Sequence, residues 1–72
     1  MKVKSLSFEH FRQNDERFDN VVLKLKDGEE FIIHDNMDFE FNDLKKRIDC
    51  WRYGKYSYVK YDDIVSVSGE LL

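Results

Sequence analysis

The chain has 72 residues, 42% of them hydrophobic and 38% charged, with a net charge of −3 and a sequence pI near 5.3. That length allows one small domain, 1–72, burying only about 60% of the surface its unfolded chain exposes. A single cysteine excludes an intrachain disulfide, no apolar stretch nears the ~20 residues of a membrane span, and no signal-peptide run is present, so a cytoplasmic protein without membrane contact is expected.

In chain order, Lys2–Phe8 reads as a strand. Residues 9–19 are charged and fit either a loop or a short helix capped by Ser7 that carries Phe8 and Phe11. The clearest signal is Asn20–His34, where two apolar runs flank Asp27-Gly28 and mark a β-hairpin. A two-residue loop would set Leu25 against Glu30 and mix polar with apolar on both faces. A turn with Gly28 in the left-handed conformation, closing a bulge, pairs Leu25 with Glu29 instead. Leu23 then meets Phe31, Val21 meets Ile33, and Lys24 meets Glu30 as a cross-strand ion pair on the other face. The second register keeps one face apolar and is the one expected.

Phe41, Leu44, Ile48 and Trp51 follow at spacings of three, four and three, which predicts an α-helix near 42–52. Asn42 suits its N-cap, Asp43 its positive end and an i,i+4 pair with Arg47, and Gly54 its termination. Phe39 and Phe41 alternate with Asp38 and Glu40, so a short strand there is the alternative. Lys55–Lys60 alternates like a strand, and Ile64–Ser68 reads as another after the Asp62-Asp63 turn. The expected fold class is α+β: a small antiparallel sheet of four or five strands, open or curled into a partly open barrel, with one α-helix packed on the Leu23/Phe31 and Val21/Ile33 face.

Charge is unevenly spread. Residues 27–43 carry seven acids (Asp27, Glu29, Glu30, Asp35, Asp38, Glu40, Asp43) and no Lys or Arg, whereas 44–61 carry six bases (Lys45, Lys46, Arg47, Arg52, Lys55, Lys60) against Asp49 alone. Such halves are either two solvated faces or a dipolar surface that orients a charged partner.

His10, His34 and Cys50 are the obvious catalytic candidates, but they lie far apart and in no recognisable motif, so no catalytic residue and no enzyme activity are expected. The segment 34–40 (HDNMDFE) offers oxygen ligands and one imidazole without the spacing of a calcium loop or a zinc site. It reads as a polar turn, and no metal or cofactor is expected. Three unclustered glycines exclude a phosphate-cradling loop.

The stretch 51–61 (WRYGKYSYVKY) concentrates five aromatics and three basic residues. Rings stack on bases while Lys and Arg follow phosphates, so Trp51, Arg52, Tyr53, Lys55, Tyr56, Tyr58 and Lys60 are the candidate binding residues. On a strand, Tyr56, Tyr58 and Lys60 share one face, and Lys55, Ser57, Val59 and Tyr61 the other. The pattern alone leaves open which of these faces covers the core. The acidic overall balance favours a half-buried strand with tyrosine hydroxyls at its rim over a nucleic-acid platform.

Val22–Phe31 (VLKLKDGEEF), with the later Tyr61–Val67 (YDDIVSV), resembles short uncharacterised proteins of phages and mobile elements of low-GC bacteria. In those a DG hairpin, one helix and a closing D-I-x-x-V strand recur. The hairpin is also similar to the first half of an Sm-like or SH3-like small barrel, although that family's later Arg-Gly strand is missing. The first resemblance implies a small factor that binds and blocks a host protein. The expectation is therefore a non-enzymatic protein–protein interaction domain, monomeric or homodimeric, such as a phage- or plasmid-encoded inhibitor or accessory protein. The alternative is a single-stranded nucleic-acid-binding small barrel using Trp51, Tyr53, Tyr56 and Tyr58.

Overall fold

In a computed structural model, which describes residues 2–34 and 37–72, the chain forms two antiparallel sheets closed at one end by a short helix. The strands are β1 (Lys2–Leu6), β2 (Phe18–Leu25), β3 (Glu30–Ile33), β4 (Asp38–Asn42), β5 (Arg47–Arg52), β6 (Lys55–Lys60) and β7 (Ile64–Leu71), and α1 is Phe8–Gln13. One sheet has the order β1-β7-β2-β3 and the other β4-β5-β6. No barrel closes. Among the described residues no helix is long and apolar enough to cross a membrane.

The β2–β3 hairpin takes the expected register, with Val21 opposite Ile33, Leu23 opposite Phe31 and Lys24 opposite Glu30. Leu25 N–H donates to the Glu29 carbonyl at 2.9 Å, and Gly28 holds φ +87° in the turn, where a Cβ would be strained. Lys24 and Glu30 face each other without forming an ion pair; among the described residues those pairs are Arg12–Glu9, Arg12–Asp43 and Arg47–Asp49. Further back in β2, Asn20 at φ +47° sits in a bulge against β7. The extra residue shifts the alternation by one, so Phe18, Val21 and Leu23 are all buried.

The expected helix over 42–52, and with it the α+β class, is overturned. That stretch is a four-residue turn followed by β5, and the molecule is mostly β. The periodicity was ambiguous because Phe39, Phe41, Ile48 and Cys50 also alternate, and pairing Phe39 with Cys50 and Phe41 with Ile48 sets all four on one face. Leu44, which the helical stripe would bury, is 92% exposed, whereas Ile48 is 0% exposed. The capping signal at Asn42 is real but local: its Oδ1 accepts from Lys45 N–H at 3.1 Å, and Lys46 at φ +58° reverses the chain. Asp43 does not pair with Arg47 as a helix would require. It accepts instead from Arg12 and, at 2.9 Å, from the Tyr61 hydroxyl, which ties α1 to this turn. Gly54 ends no helix and lies in the β5–β6 turn.

The face carrying Leu23 and Ile33 is thus covered by the second sheet, not by a helix. Val21, Leu23, Ile33 and Val67 from one sheet meet Ile48, Cys50 and Val59 from the other in a single core with Phe11 and Met37. Helix α1 begins as the Ser7 cap suggests, with His10 N–H donating to Ser7 Oγ at 3.1 Å. Its Phe11 lies 5.4 Å from the Phe41 ring and 6.3 Å from the Phe39 ring, and Phe8 packs on Tyr61 at 4.8 Å.

Two substitutions separate strand from helix over this segment. Ile48→Ala should cost about 2–5 kcal/mol of stability, as large-to-small changes in a sealed core do. Leu44→Ala should stay within about 0.5 kcal/mol of wild type in the same urea titration, since it exposes nothing new. Equal losses at both positions would restore the helix. In the hairpin, Gly28→Val should lower stability by more than about 1 kcal/mol and Gly28→Asn by less, because Asn tolerates positive φ.

Candidate functional site

In the three-stranded sheet, alternation sends Ile48 and Cys50 of β5 inward and Arg47, Asp49 and Trp51 outward. The registers bring Tyr56 opposite Trp51, Tyr58 opposite Asp49 and Lys60 opposite Arg47, while Asp38, Glu40 and Asn42 of β4 flank the other side. The open question about β6 is answered by its partner: Val59 faces Ile48 and is buried, so Tyr56 and Tyr58 must point outward, each 48% exposed. Tyr61 leaves the strand for a 3-10 turn and is half-buried beside Phe8.

At the centre of this outer face lies Asp49, buried beneath the side chains around it. Its carboxylate accepts from the Tyr56 hydroxyl at 2.6 Å, from Arg47 Nε at 2.9 Å and from Asn42 Nδ2 at 3.0 Å. The Tyr56 hydrogen bond, then that from Asn42, holds the Asp49 carboxyl below its ordinary range against the opposing cost of burial. The same bond raises the Tyr56 phenol above its ordinary value, which keeps the hydroxyl a donor. Arg47 reaches across to lie 4.8 Å from the Tyr58 ring centroid. Tyr56 in turn stacks with Tyr58 at 6.2 Å and tilts against Trp51 at 5.6 Å. One buried carboxylate therefore anchors Tyr56 and Arg47, on which the rings of Trp51 and Tyr58 pack.

The β5–β6 turn extends the row. Tyr53 and Gly54 both have positive φ, +50° and +76°, the geometry of a two-residue turn whose twist matches the flanking strands. Asn or Asp with Gly is the usual occupant; a bulky Tyr there is strained. It is 89% exposed, so burial of the side chain does not offset that strain.

Of the seven residues picked out by sequence, Trp51, Tyr56, Tyr58 and Lys60 share the outer face and Tyr53 crowns the turn. Arg52 and Lys55 pair with each other on the opposite side of the sheet. Arg52 is engaged there, its guanidinium 2.7 Å from His34 Nε2 and 3.5 Å from Met37 Sδ. Sequence reasoning missed Asn42, Arg47 and Asp49. The alternation Arg47, Asp49, Trp51 could have shown them once the segment was taken as a strand.

Other chemistry has less to work with. The Cys50 thiol is fully buried, and burial, with a smaller effect from Asp49, pushes it up to about 11, so it stays protonated and sealed. Asp35 and Asn36 of the polar 34–40 segment lie outside the described residues. Among the described residues no three His, Cys, Asp or Glu side chains gather as a metal site. No protein-family model, no curated protein and no solved structure matches the chain.

Two measurements probe this site. Tyr53→Asn should raise the melting temperature, by up to about 1 kcal/mol of stability, because Asn relieves the left-handed strain. A fall would show the turn to be unstrained. For Asp49 the folded pKa is depressed, so its contribution is present above the unfolded value, about pH 4, and is lost as pH falls through the folded one. Melting temperatures between pH 6 and pH 2 should therefore drop less steeply in Asp49→Asn than in wild type. Part of the drop remains, since Arg12 and Tyr61 also hold Asp43 below its ordinary value.

Proposed function

We propose that this chain is a non-enzymatic protein-binding domain that presents the outer face of β4-β5-β6 to its partner. The observation that carries the reading is the row Trp51, Tyr56 and Tyr58, exposed yet packed on one another beside Asp49, with Tyr53 exposed at the adjoining turn. Rigid amphipathic rings lose little freedom on binding and dominate the energetics of protein interfaces. The resemblance to small phage and mobile-element proteins makes the proposed partner a host protein that the domain inhibits or assists. A lone, buried free cysteine supports the cytosol as its compartment.

The competing occupant, a single nucleic-acid strand, would need cations along its phosphates. Arg47 is committed to Asp49 and Arg52 points to the far side of the sheet, which leaves Lys60, among the described residues, as the one candidate cation on the tyrosine face. Asp38 and Glu40 stand on the same face as the tyrosines, where they repel phosphate. Those charges favour a protein.

A photo-reactive phenylalanine at position 53, expressed in the native host, should cross-link a protein whose yield is unaffected by nuclease. Tyr58→Ala should abolish the adduct while the fold, followed by circular dichroism, persists. An adduct that is nucleic acid, or binding to single strands at micromolar concentration in 150 mM salt that Tyr58→Ala removes, would overturn the reading. Weak binding to oligonucleotides at low salt alone counts against a dedicated strand-binding surface, since any basic patch produces it.

A further inference from the structure

We propose that a second docking site lies in the cleft beside α1, and that it takes an apolar side chain carried by a basic segment of a partner protein. The cleft has a volume of about 350 Å³, room for one large side chain, and its floor includes Phe11, Met37 and Phe39. Its charged walls are Asp15, Glu16 and Asp19, and no Lys or Arg is among the described residues that line it. The walls are built, not incidental. Asp15 and Glu16 sit on a 3-10 turn whose Arg17 carbonyl accepts from Leu72 N–H at 2.9 Å, and Asp19 Oδ1 accepts from Asn20 N–H at 2.8 Å in the β2 bulge. That bulge is what aligns Phe18 with Val21 and leaves Asp19 at the mouth.

Apolar floor and acidic mouth ask for two properties in one occupant. An apolar side chain gains by leaving water, and a neighbouring Lys or Arg gains by meeting three carboxylates that form no ion pair among the described residues, Arg52 at the cleft's other side being engaged with His34 and Met37. A neutral apolar segment forgoes the second gain, and an acidic segment or nucleic acid is repelled. The cleft shares no residue with the Trp51–Tyr58 face, so this inference stands or falls independently of the function proposed above.

Three capped peptides decide it by NMR titration of the full chain: acetyl-Lys-Leu-Arg-amide, acetyl-Glu-Leu-Glu-amide and acetyl-Lys-Ser-Arg-amide. The first should saturably shift the Met37 methyl and the Phe11 and Phe39 ring signals at concentrations at least tenfold lower than the other two. Raising the salt should weaken it. Asp15→Asn with Glu16→Gln, in a variant whose spectrum remains folded, should remove most of that preference, and adding Asp19→Asn should remove the rest. Equal affinity for the three peptides, shifts confined to residues outside the cleft, an undiminished preference in the variants, or no binding at all would each overturn the proposal.

Discussion

Two small sheets, each apolar on one face, can leave water only by covering one another, and everything else in this molecule follows from that constraint. Within these 72 residues the two apolar faces meet in one shared core. Phe11 completes the seal. It is fully buried, touches both β4 rings, and shares the cleft wall with Val21 and Ile33 of the opposite sheet. A six-residue helix has little stability of its own, so α1 exists because Phe8 and Phe11 are anchored at its base. The Arg12–Asp43–Tyr61 cluster then joins it to the β4–β5 turn, 31 residues away in sequence for Arg12 and Asp43.

A sheet covered on one side only must present its other side to solvent, and the sequence places Trp51, Tyr56 and Tyr58 there while the phenylalanines pack inward. In the β4-β5-β6 sheet that outer face is organised by a buried carboxylate instead of by apolar packing. Asp49 is tolerable below the surface because three donors satisfy it, and they are the side chains that frame the tyrosine row. Removing a proton acceptor there would free Tyr56 and Arg47 to move, and with them the rings that Arg47 and Tyr56 contact. Tyr53, at positive φ and exposed at the tip, extends the face proposed as the binding surface. The cleft beside α1 is separate from this face, and the β2 bulge contributes Phe18, Asp19 and Val21 to its lining.

What the sequence determined by itself were features with local causes. The Asp27-Gly28 turn and the β2–β3 register followed from one glycine and from the demand that one face be apolar. The Lys55–Lys60 alternation marked a strand, and Ser7 caps the short helix that is one of two readings of 9–19, each through groups within a few residues. Asn42, by contrast, caps only a turn and not the helix it suggested. The tertiary structure decided the rest. Phe41, Leu44, Ile48 and Trp51 satisfy a helical stripe as well as Phe39, Phe41, Ile48 and Cys50 satisfy a strand pair. Only the flanking strands, which supply hydrogen bonds on both sides of β5, settle the choice. Which face of β6 is exposed could not be read from β6, because Tyr56 with Tyr58 and Val59 with Tyr61 are similarly apolar. Val59 lies inward because it stands opposite Ile48, and that non-local pairing is the reason the tyrosines, with Asp49 beneath them, form a surface.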